Sequence, residues 1–166
     1  QANALAGNST ITHGTNDFKI FKMALSFVLE HLAKLIVKDG EGATKFIEIT
    51  VKNARTYKDA CNIARNIANS PLVKTAIYGE DPNFGRILSA AGASSGFFAP
   101  EKLKLYIQGL AIFKEGSVCN LGMLKSKLKK EEVNIALDLG IGKAFYKLWT
   151  TDLTEKYIRI NSAYTS

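Results

Sequence analysis

The sequence predicts a layered sheet-and-helix domain of the α/β to α+β class, in which a long amphipathic helix comes first. Apolar side chains between residues 17 and 38 recur at steps of three and four, which is the spacing of one helical face. Short β-branched runs then alternate with alanine-rich helical stretches, and further strand-like runs close the chain. This pattern is typical of layered folds. The expected order after the first helix is β-α-β-α-β-α-β-β-β.

Capping residues and turn signals set the expected bounds of these elements. A side-chain oxygen of Thr15 or Asn16 can cap the first helix, and Thr56 can cap the second. The predicted helices are 17–38, 57–69, 83–93 and 121–130. The predicted strands are 45–52, 72–78, 103–113, 133–139, 145–151 and 156–160, with a further strand end at 1–5. If the first two of these strands are parallel in one sheet, they form a right-handed crossover.

Composition narrows the class of protein. The chain has 166 residues, of which 46% are hydrophobic and 22% charged, as in ordinary globular domains with a core. No apolar run is long enough to span a membrane, and the first residues lack the pattern of a signal peptide. Cys61 and Cys119 form neither a disulfide framework nor a metal-ligand spacing. We expect both to be small core residues in a reducing compartment.

The net charge of +7 permits three interpretations: a surface that binds nucleic acid or anionic lipid, a solvated helix face, or a surface for an acidic partner or substrate. The one dense group of lysines, in the predicted helix at 121–130, is Lys125, Lys127, Lys129 and Lys130. A solvated helix face is favoured, because no aromatic RNA-binding motif or zinc-finger spacing accompanies the lysines. A basic surface can also meet an acidic partner chain or attract carboxylate substrates. No nucleic-acid partner is expected.

A carboxylate between two glycines is the first candidate for a functional site. Glu41 lies between Gly40 and Gly42, directly after the long helix. Glycine permits positive φ angles and the close approach of a ligand, and a carboxylate there suits a positively charged group such as an amine. The structural alternative is a helix stop followed by a strand, with Glu41 solvated. Spacing alone favours that alternative.

Two later segments carry further candidates. Residues 79–86 are rich in turn-forming and charged side chains, which favours scaffolding, with Arg86 paired to a neighbouring acid or bound to a carboxylate. In the tail, Asn161 and Ser166 offer an amide and a hydroxyl to a small ligand. Chain ends commonly fray, and the residues alone favour that reading of the tail.

Nucleophilic and metal chemistry have no matching pattern. His13 falls in a loop and His31 in mid-helix, and neither is near a nucleophile motif. No cluster of residues has metal-ligand spacing, and no glycine-rich phosphate loop is present. The sequence therefore predicts no metal site.

Four segments carry a resemblance to a known family: 39–45, 69–76, 79–86 and 152–161. In this order they closely resemble the second (β) chain of ornithine acetyltransferase, and the resemblance runs from about residue 2 to the last residue. It implies a cytoplasmic, multifunctional enzyme of arginine biosynthesis that moves an acetyl group from N-acetylornithine to glutamate by double displacement. It also implies an α chain from the same precursor, an α2β2 assembly and no cofactor, with acetyl-CoA as a possible second donor.

The resemblance assigns substrate-binding roles to Glu41, Asn161 and Ser166. Glu41 matches the family glutamate that binds the ammonium or the α-amino region of the substrate. Asn161 and Ser166 match the family's C-terminal asparagine and hydroxyl residue, the latter usually threonine. In the family, autocatalytic cleavage exposes a threonine that acts as the nucleophile, and the α chain holds the oxyanion.

No residue of this sequence matches that nucleophile. The residues around Thr10, Thr12 and Thr15 do not match the Ala-Thr-Met-Leu core of the family's cleavage motif. We therefore assign no catalytic residue to this chain. We expect residues 1–42 to be the end of the nucleophile-bearing domain, and 43–166 to be a C-terminal α/β domain whose tail returns toward the active site.

One departure from the family pattern motivates an alternative. Ile141 and Lys143 stand where the family usually has arginine and aspartate. The alternative is a degenerate family member that acts as a non-catalytic binding or structural subunit.

Overall fold

A six-stranded mixed sheet and six α-helices make up the fold over Gly7 and residues 9–163, which the computed structural model describes. The predicted fold class is thereby confirmed. The helices are α1 Asn16–Lys38, α2 Tyr57–Asn69, α3 Pro71–Tyr78, α4 Phe84–Gly92, α5 Leu121–Leu128 and α6 Glu155–Ser162. A 3₁₀ turn covers Pro100–Lys102. The strands are β1 Phe46–Ala54, β2 Lys104–Ile107, β3 Leu110–Lys114, β4 Ser117–Val118, β5 Glu132–Asp138 and β6 Ala144–Thr151.

The chain divides into two compact units, one up to Ile36 and one from Val37 onward. The first contains most of α1, which begins as predicted: the Thr15 hydroxyl accepts a hydrogen bond from the Phe18 N–H at 3.2 Å. No residue of α1 is buried, and its side chains include Met23 and Phe27 at 73% and 75% exposure. The predicted domains 1–42 and 43–166 refer to a longer protein and stay a prediction.

The core of the second unit lies between the sheet and helices α2 to α5. The sheet order is β4-β3-β2-β5-β1-β6, with β1 parallel to β5 and the other neighbours antiparallel. Alternate residues of β1 are fully buried, as predicted from its period of two. They share one face with β5, whose Val133, Ile135 and Leu137 pair with them in register. On the opposite face of β1, Phe46, Glu48 and Thr50 are half-buried and Lys52 is exposed.

The predicted strand at 72–78 is wrong, because this segment is helix α3. Ser70 caps it by accepting a hydrogen bond from the Val73 N–H at 3.4 Å, and Pro71 occupies the first turn. The apolar residues that suggested a buried strand, Val73 and Ile77, are buried at helical spacing instead. The predicted crossover over 45–78 is therefore also wrong, and the parallel partner of β1 is β5.

The predicted strand at 156–160 is wrong as well, because these residues lie in α6. The single predicted strand at 103–113 is a hairpin of β2 and β3, which turns at Gln108 and Gly109 with φ values of +52° and +76°. Consecutive positive φ angles are the geometry of a tight hairpin turn. The short strand β4 extends this hairpin. The strand end expected at 1–5 lies outside the described residues.

Other expectations from composition have mixed outcomes. Cys61 and Cys119 are free and half-buried, which corrects their placement in the core. The four lysines in and after α5 are exposed, as on a solvated helix face. Over the described part of the chain, every helix is too short or too polar to cross a membrane.

Asp59 fastens the loop after α4 to the start of α2. Its carboxylate accepts hydrogen bonds from the Phe97 N–H at 3.0 Å and from the Thr56 hydroxyl at 2.6 Å. Both hydrogen bonds lower the pKa of Asp59, and the bond from the Phe97 N–H has the larger effect. Burial of the carboxylate raises the pKa, and the positive charge of Arg55 lowers it further. Because the folded-state pKa lies below the ordinary value of 3.8, the stabilisation is complete above pH 3.8. It is lost as the pH falls through the folded-state pKa.

We expect Asp59→Asn to lower the free energy of unfolding by about 1–3 kcal/mol at neutral pH. The difference from the unaltered chain should shrink in acid, because the native carboxylate is then protonated too. Urea unfolding at neutral and acidic pH measures both effects. Asp81→Asn is the control, since Asp81 makes a half-exposed 4.0 Å pair with Arg86 that is worth at most about 1 kcal/mol. A difference that stays constant with pH would contradict the expectation.

Candidate functional site

Two segments more than one hundred residues apart in sequence meet at the candidate site. One is the turn at residues 40–43, which follows α1 and is closed by a hydrogen bond from the Ala43 N–H to the Gly40 carbonyl at 3.0 Å. We call it the glycine turn. The other segment runs from the end of β6 into α6. Side-chain hydrogen bonds from both sides hold them together.

Asp152 binds the strand side of the glycine turn. Its Oδ1 accepts hydrogen bonds from the backbone N–H groups of Thr44 and Lys45 at 2.9 and 3.0 Å, and its Oδ2 accepts one from the Thr44 hydroxyl. The Asp152 N–H in turn donates to the Lys45 carbonyl at 3.3 Å. With 3% exposure, the carboxylate is buried and fully used by these donors. It therefore joins the start of β1 to the end of β6.

Thr154 connects the glycine turn to the first turn of α6. Its hydroxyl donates a hydrogen bond to the Gly42 carbonyl at 2.7 Å and accepts one from the Tyr157 N–H at 3.0 Å, which caps the helix. Thr154 is 2% exposed. One side chain thus binds the turn and the helix together.

The two glycines of the turn allow other parts of the chain to approach it closely. Gly42 has a φ of +67°, and a Cβ there would lie 2.7 Å from the Tyr157 nitrogen. Gly40 has no positive φ, and a Cβ there would lie 3.1 Å from the Thr151 methyl group. The close approach predicted for a ligand is therefore made, at both glycines, by other parts of the same chain.

Glu41 and Asn161 meet at the surface between these anchors. The Asn161 Nδ2 donates a hydrogen bond to the Glu41 Oε2 at 3.2 Å and another to the Tyr157 carbonyl at 2.9 Å. We call these two exposed side chains the Glu41–Asn161 pair. Glu41 is thus held by a partner, and Asn161 belongs to an ordered helix. The substrate-binding roles of both stay predictions, and Ser166 lies outside the described residues.

Lys45 links the glycine turn to the third motif. Its buried ammonium group forms an ion pair with Glu80 at 3.2 Å and donates to the carbonyls of Leu128 and Lys130 at 2.7 and 3.3 Å. Burial lowers the pKa of Lys74, and the Asp152 carboxylate partly offsets this. The charge of Lys45 is therefore held in a structural ion pair.

Arg86 has the scaffolding contacts that the sequence favoured. Its Nη1 donates to the Leu72 carbonyl at 3.0 Å and to the Thr75 hydroxyl at 3.4 Å, while its Nη2 lies 4.0 Å from the Asp81 carboxylate. These contacts tie α3 to the start of α4.

Sequence reasoning missed Lys45, Asp152 and Thr154 as parts of the site. A threonine directly before Glu155 is a helix-start signal, which would have indicated α6 and the cap. No local signal marks Asp152, because its partners are more than one hundred residues away in sequence.

An open cavity of about 460 Å³ lies beside the glycine turn. Its lining comprises Val37, Lys38, Ala43, Thr44, Lys45, Phe46, Glu131 and Glu132. The Glu41–Asn161 pair is not part of that lining and faces open surface. Among the described residues, no group of three or more His, Cys, Asp or Glu side chains is placed to hold a metal ion.

Comparisons with known proteins agree over nearly the whole chain. The model of the ArgJ family matches residues 2–166. The arginine biosynthesis bifunctional protein ArgJ of Chlorobaculum tepidum is 44% identical over 158 residues, which cover 94% of this chain and 39% of that protein. The protein of the same name from Caldanaerobacter subterraneus is 43% identical over 171 residues, covering 98% and 42%. The chain thus spans less than half the length of these relatives.

A solved structure has the same fold. The crystal structure of arginine biosynthesis bifunctional protein argJ from Bacillus halodurans superposes with a TM-score of 0.90 at 39% identity, covering 97% of this chain and 77% of that chain. The resemblance inferred from the four motifs is thereby confirmed.

Proposed function

The chain belongs to the ArgJ family, and from this membership we propose that it supplies substrate-binding residues to an enzyme that transfers an acetyl group from N2-acetylornithine to glutamate in arginine biosynthesis. The observation that carries the proposal is the Glu41–Asn161 pair at 3.2 Å. Two side chains to which the family resemblance assigns substrate-binding roles, more than one hundred residues apart in sequence, are adjacent in the fold.

The chemistry of the pair suits an amino-acid substrate. The Glu41 Oε2 accepts the Asn161 amide, so the other carboxylate oxygen is available to accept a hydrogen bond from a substrate ammonium group. The second amide hydrogen of Asn161 is bonded to the Tyr157 carbonyl, so the amide is oriented before substrate binds. Ser166 is proposed to add a hydroxyl to the same substrate.

The reacting groups are proposed to lie in the rest of the longer protein. An upstream threonine, exposed by autocatalytic cleavage, takes the acetyl group from N2-acetylornithine with release of ornithine. The acyl-threonine then passes the acetyl group to the α-amino group of glutamate, which frees the threonine hydroxyl. The α chain provides the oxyanion hole. No cofactor is proposed, and acetyl-CoA is a second acetyl donor if the enzyme is bifunctional. The proposed location is the cytoplasm.

We propose an α chain partner and an α2β2 assembly, and two observations support the partner. Helix α1 is 23 residues long, has an apolar face, and buries none of its side chains. Such helices are normally covered by other protein. In addition, this chain covers 77% of the solved Bacillus halodurans chain but 39% of the Chlorobaculum tepidum protein. The solved Bacillus halodurans chain is therefore much shorter than the Chlorobaculum tepidum protein, as is expected if the precursor is cut into two chains.

The degenerate-subunit alternative gains no support from the departure at Ile141. That side chain packs against the hydrophobic core, and its N–H donates to the Asn53 carbonyl at 2.9 Å. At Gly142, which the family's glycine motif retains, a Cβ would lie 2.1 Å from the Ala54 carbonyl oxygen. The local backbone is thus tightly packed with isoleucine in place.

The proposal is tested by co-expressing this chain with the upstream coding region and measuring acetyl transfer from N-acetylornithine to glutamate. We expect two chains after purification and activity only when both are present. This chain alone should be inactive, because neither the nucleophile nor the oxyanion hole is assigned to it. A cut, assembled protein without transfer activity would contradict the proposal and favour the binding subunit.

A further inference from the structure

We propose that Asp152 and Thr154 are positioning residues that make the glycine turn and helix α6 one rigid unit, and so set the geometry of the Glu41–Asn161 pair. The inference rests on the proposed function, because it assigns a role in substrate binding to side chains that do not touch the pair. Neither Glu41 nor Asn161 is held by bonds within its own segment alone. Each depends on contacts that cross between the start of β1 and the end of β6.

The first part of the argument concerns the backbone on which Glu41 sits. The residues just after Glu41 are held by the three hydrogen bonds that the buried Asp152 carboxylate accepts from Thr44 and Lys45. Charge-assisted bonds to a buried carboxylate are stronger than neutral ones. The strand side of the turn therefore cannot shift without breaking several bonds at once.

The second part concerns the link from the turn to Asn161. The Thr154 hydroxyl bonds the Gly42 carbonyl, one residue after Glu41, and also caps α6, which carries Asn161. Gly42 is within van der Waals distance of the same helix end. A displacement of the turn is thus passed directly to the helix. Glu41 and Asn161 therefore keep the same position relative to each other when the turn or the helix moves.

The energetic consequence is a lower cost of binding. A ligand that must order two independent segments loses affinity, whereas a pre-organised pair does not incur that cost. A hydrogen bond from a carboxylate to an ammonium group also depends strongly on distance and angle. Removing the Thr154 hydroxyl should therefore weaken substrate binding while leaving the acetyl-transfer step largely intact.

The test is a double-mutant cycle in the assembled two-chain enzyme. We expect Thr154→Val to raise KM for N-acetylornithine about five- to tenfold with little change in kcat, the loss that one net hydrogen bond represents. Thr154→Ser, which keeps the hydroxyl, should restore KM. In a Glu41→Gln background, Thr154→Val should have little further effect on KM, because the group it positions has already been removed. Asp152→Asn is measured in the same cycle and replaces Thr154→Val if that variant does not assemble.

Thr56→Val is the matched control. Thr56 caps α2 as Thr154 caps α6, accepting a hydrogen bond from the Asp59 N–H at 3.1 Å, but it does not contact the glycine turn. It should lower the melting temperature without changing KM. The positioning role would be overturned if Thr154→Val raised KM by the same factor in the Glu41→Gln background as in the otherwise unaltered enzyme. If the assembled two-chain protein transfers no acetyl group, the proposed function fails. If transfer occurs but Glu41→Gln leaves KM unchanged, the substrate-binding role of Glu41 fails. If Glu41→Gln raises KM and the Thr154 and Asp152 variants do not, the positioning role alone fails.

Discussion

Glu41→Gln in the assembled enzyme is expected to lower kcat/KM for N-acetylornithine by about 100-fold. Glutamine keeps the shape of the side chain and an acceptor for Asn161, but it removes the charge and replaces the oxygen available to the substrate ammonium with an N–H donor. Where the α chain and the bound substrate exclude water from Glu41, loss of one partner of the charge pair costs about 2–5 kcal/mol, and 2.8 kcal/mol is about 100-fold. Steady-state kinetics of acetyl transfer to glutamate measures the effect.

The second substrate shows which ammonium group Glu41 binds. N-Acetylornithine keeps a charged side-chain amine, whereas glutamate carries only its α-amino group. If Glu41 binds the side-chain amine, KM for glutamate should change much less than KM for N-acetylornithine. Glu101→Gln, on the exposed 3₁₀ turn, is the control and should leave both values unchanged. Unaltered kinetics in the Glu41→Gln enzyme would remove Glu41 from the site.

Gly42→Ala is expected to destabilise the chain by about 2–5 kcal/mol, from a strained backbone of about 1–2 kcal/mol and from overpacking of about 1–3 kcal/mol. Gly42 has a φ of +67°, and the added Cβ would lie 2.7 Å from the Tyr157 nitrogen and 3.1 Å from the Lys156 carbonyl carbon. Both atoms are backbone atoms of α6, so the contact is relieved only if the helix or the turn moves. Urea unfolding measures the loss of stability.

The same substitution elsewhere separates this effect from a general effect of alanine. At Gly92, the last residue of α4, a Cβ would meet no atom within 4 Å, and its φ is not positive. Gly92→Ala should therefore be neutral or stabilising by up to about 1 kcal/mol, since alanine favours helices. If the Gly42→Ala chain were as stable as the unaltered chain, the turn would tolerate a Cβ. The close approach of α6 would then not require glycine at this position.

Elements with a strong period could be predicted from the sequence. The three-and-four spacing in α1 and the alternation in β1 each specify one buried or apolar face, and both elements are present where expected. Thr15 and Thr56 act as caps because a hydroxyl before a helix bonds a nearby N–H whatever the rest of the fold does. Such signals depend on residues three or four apart.

Short apolar runs could not be assigned in the same way. The runs at 72–78 and 156–160 suit a strand or a helix equally, and both are helices. In α3, the cap from Ser70 and the proline after it favour the helix, and burial of Val73 and Ile77 against the core decides it. In α6, the Thr154 cap is itself fixed by the glycine turn. Tertiary contacts override weak local preference in segments this short.

The sequence by itself determined the fold class, the family and the identity of Glu41, Asn161 and Ser166 as candidates, because ordered motifs and periodic patterns are local properties. Only the tertiary structure decided that Glu41 and Asn161 are neighbours, and that the backbone of α6 lies too close to Gly42 to leave room for a Cβ. The physical reason is that a buried carboxylate such as Asp152 must find hydrogen-bond donors, and its donors lie at the other end of the chain. Contacts of that kind bring the two ends of the sequence into one site.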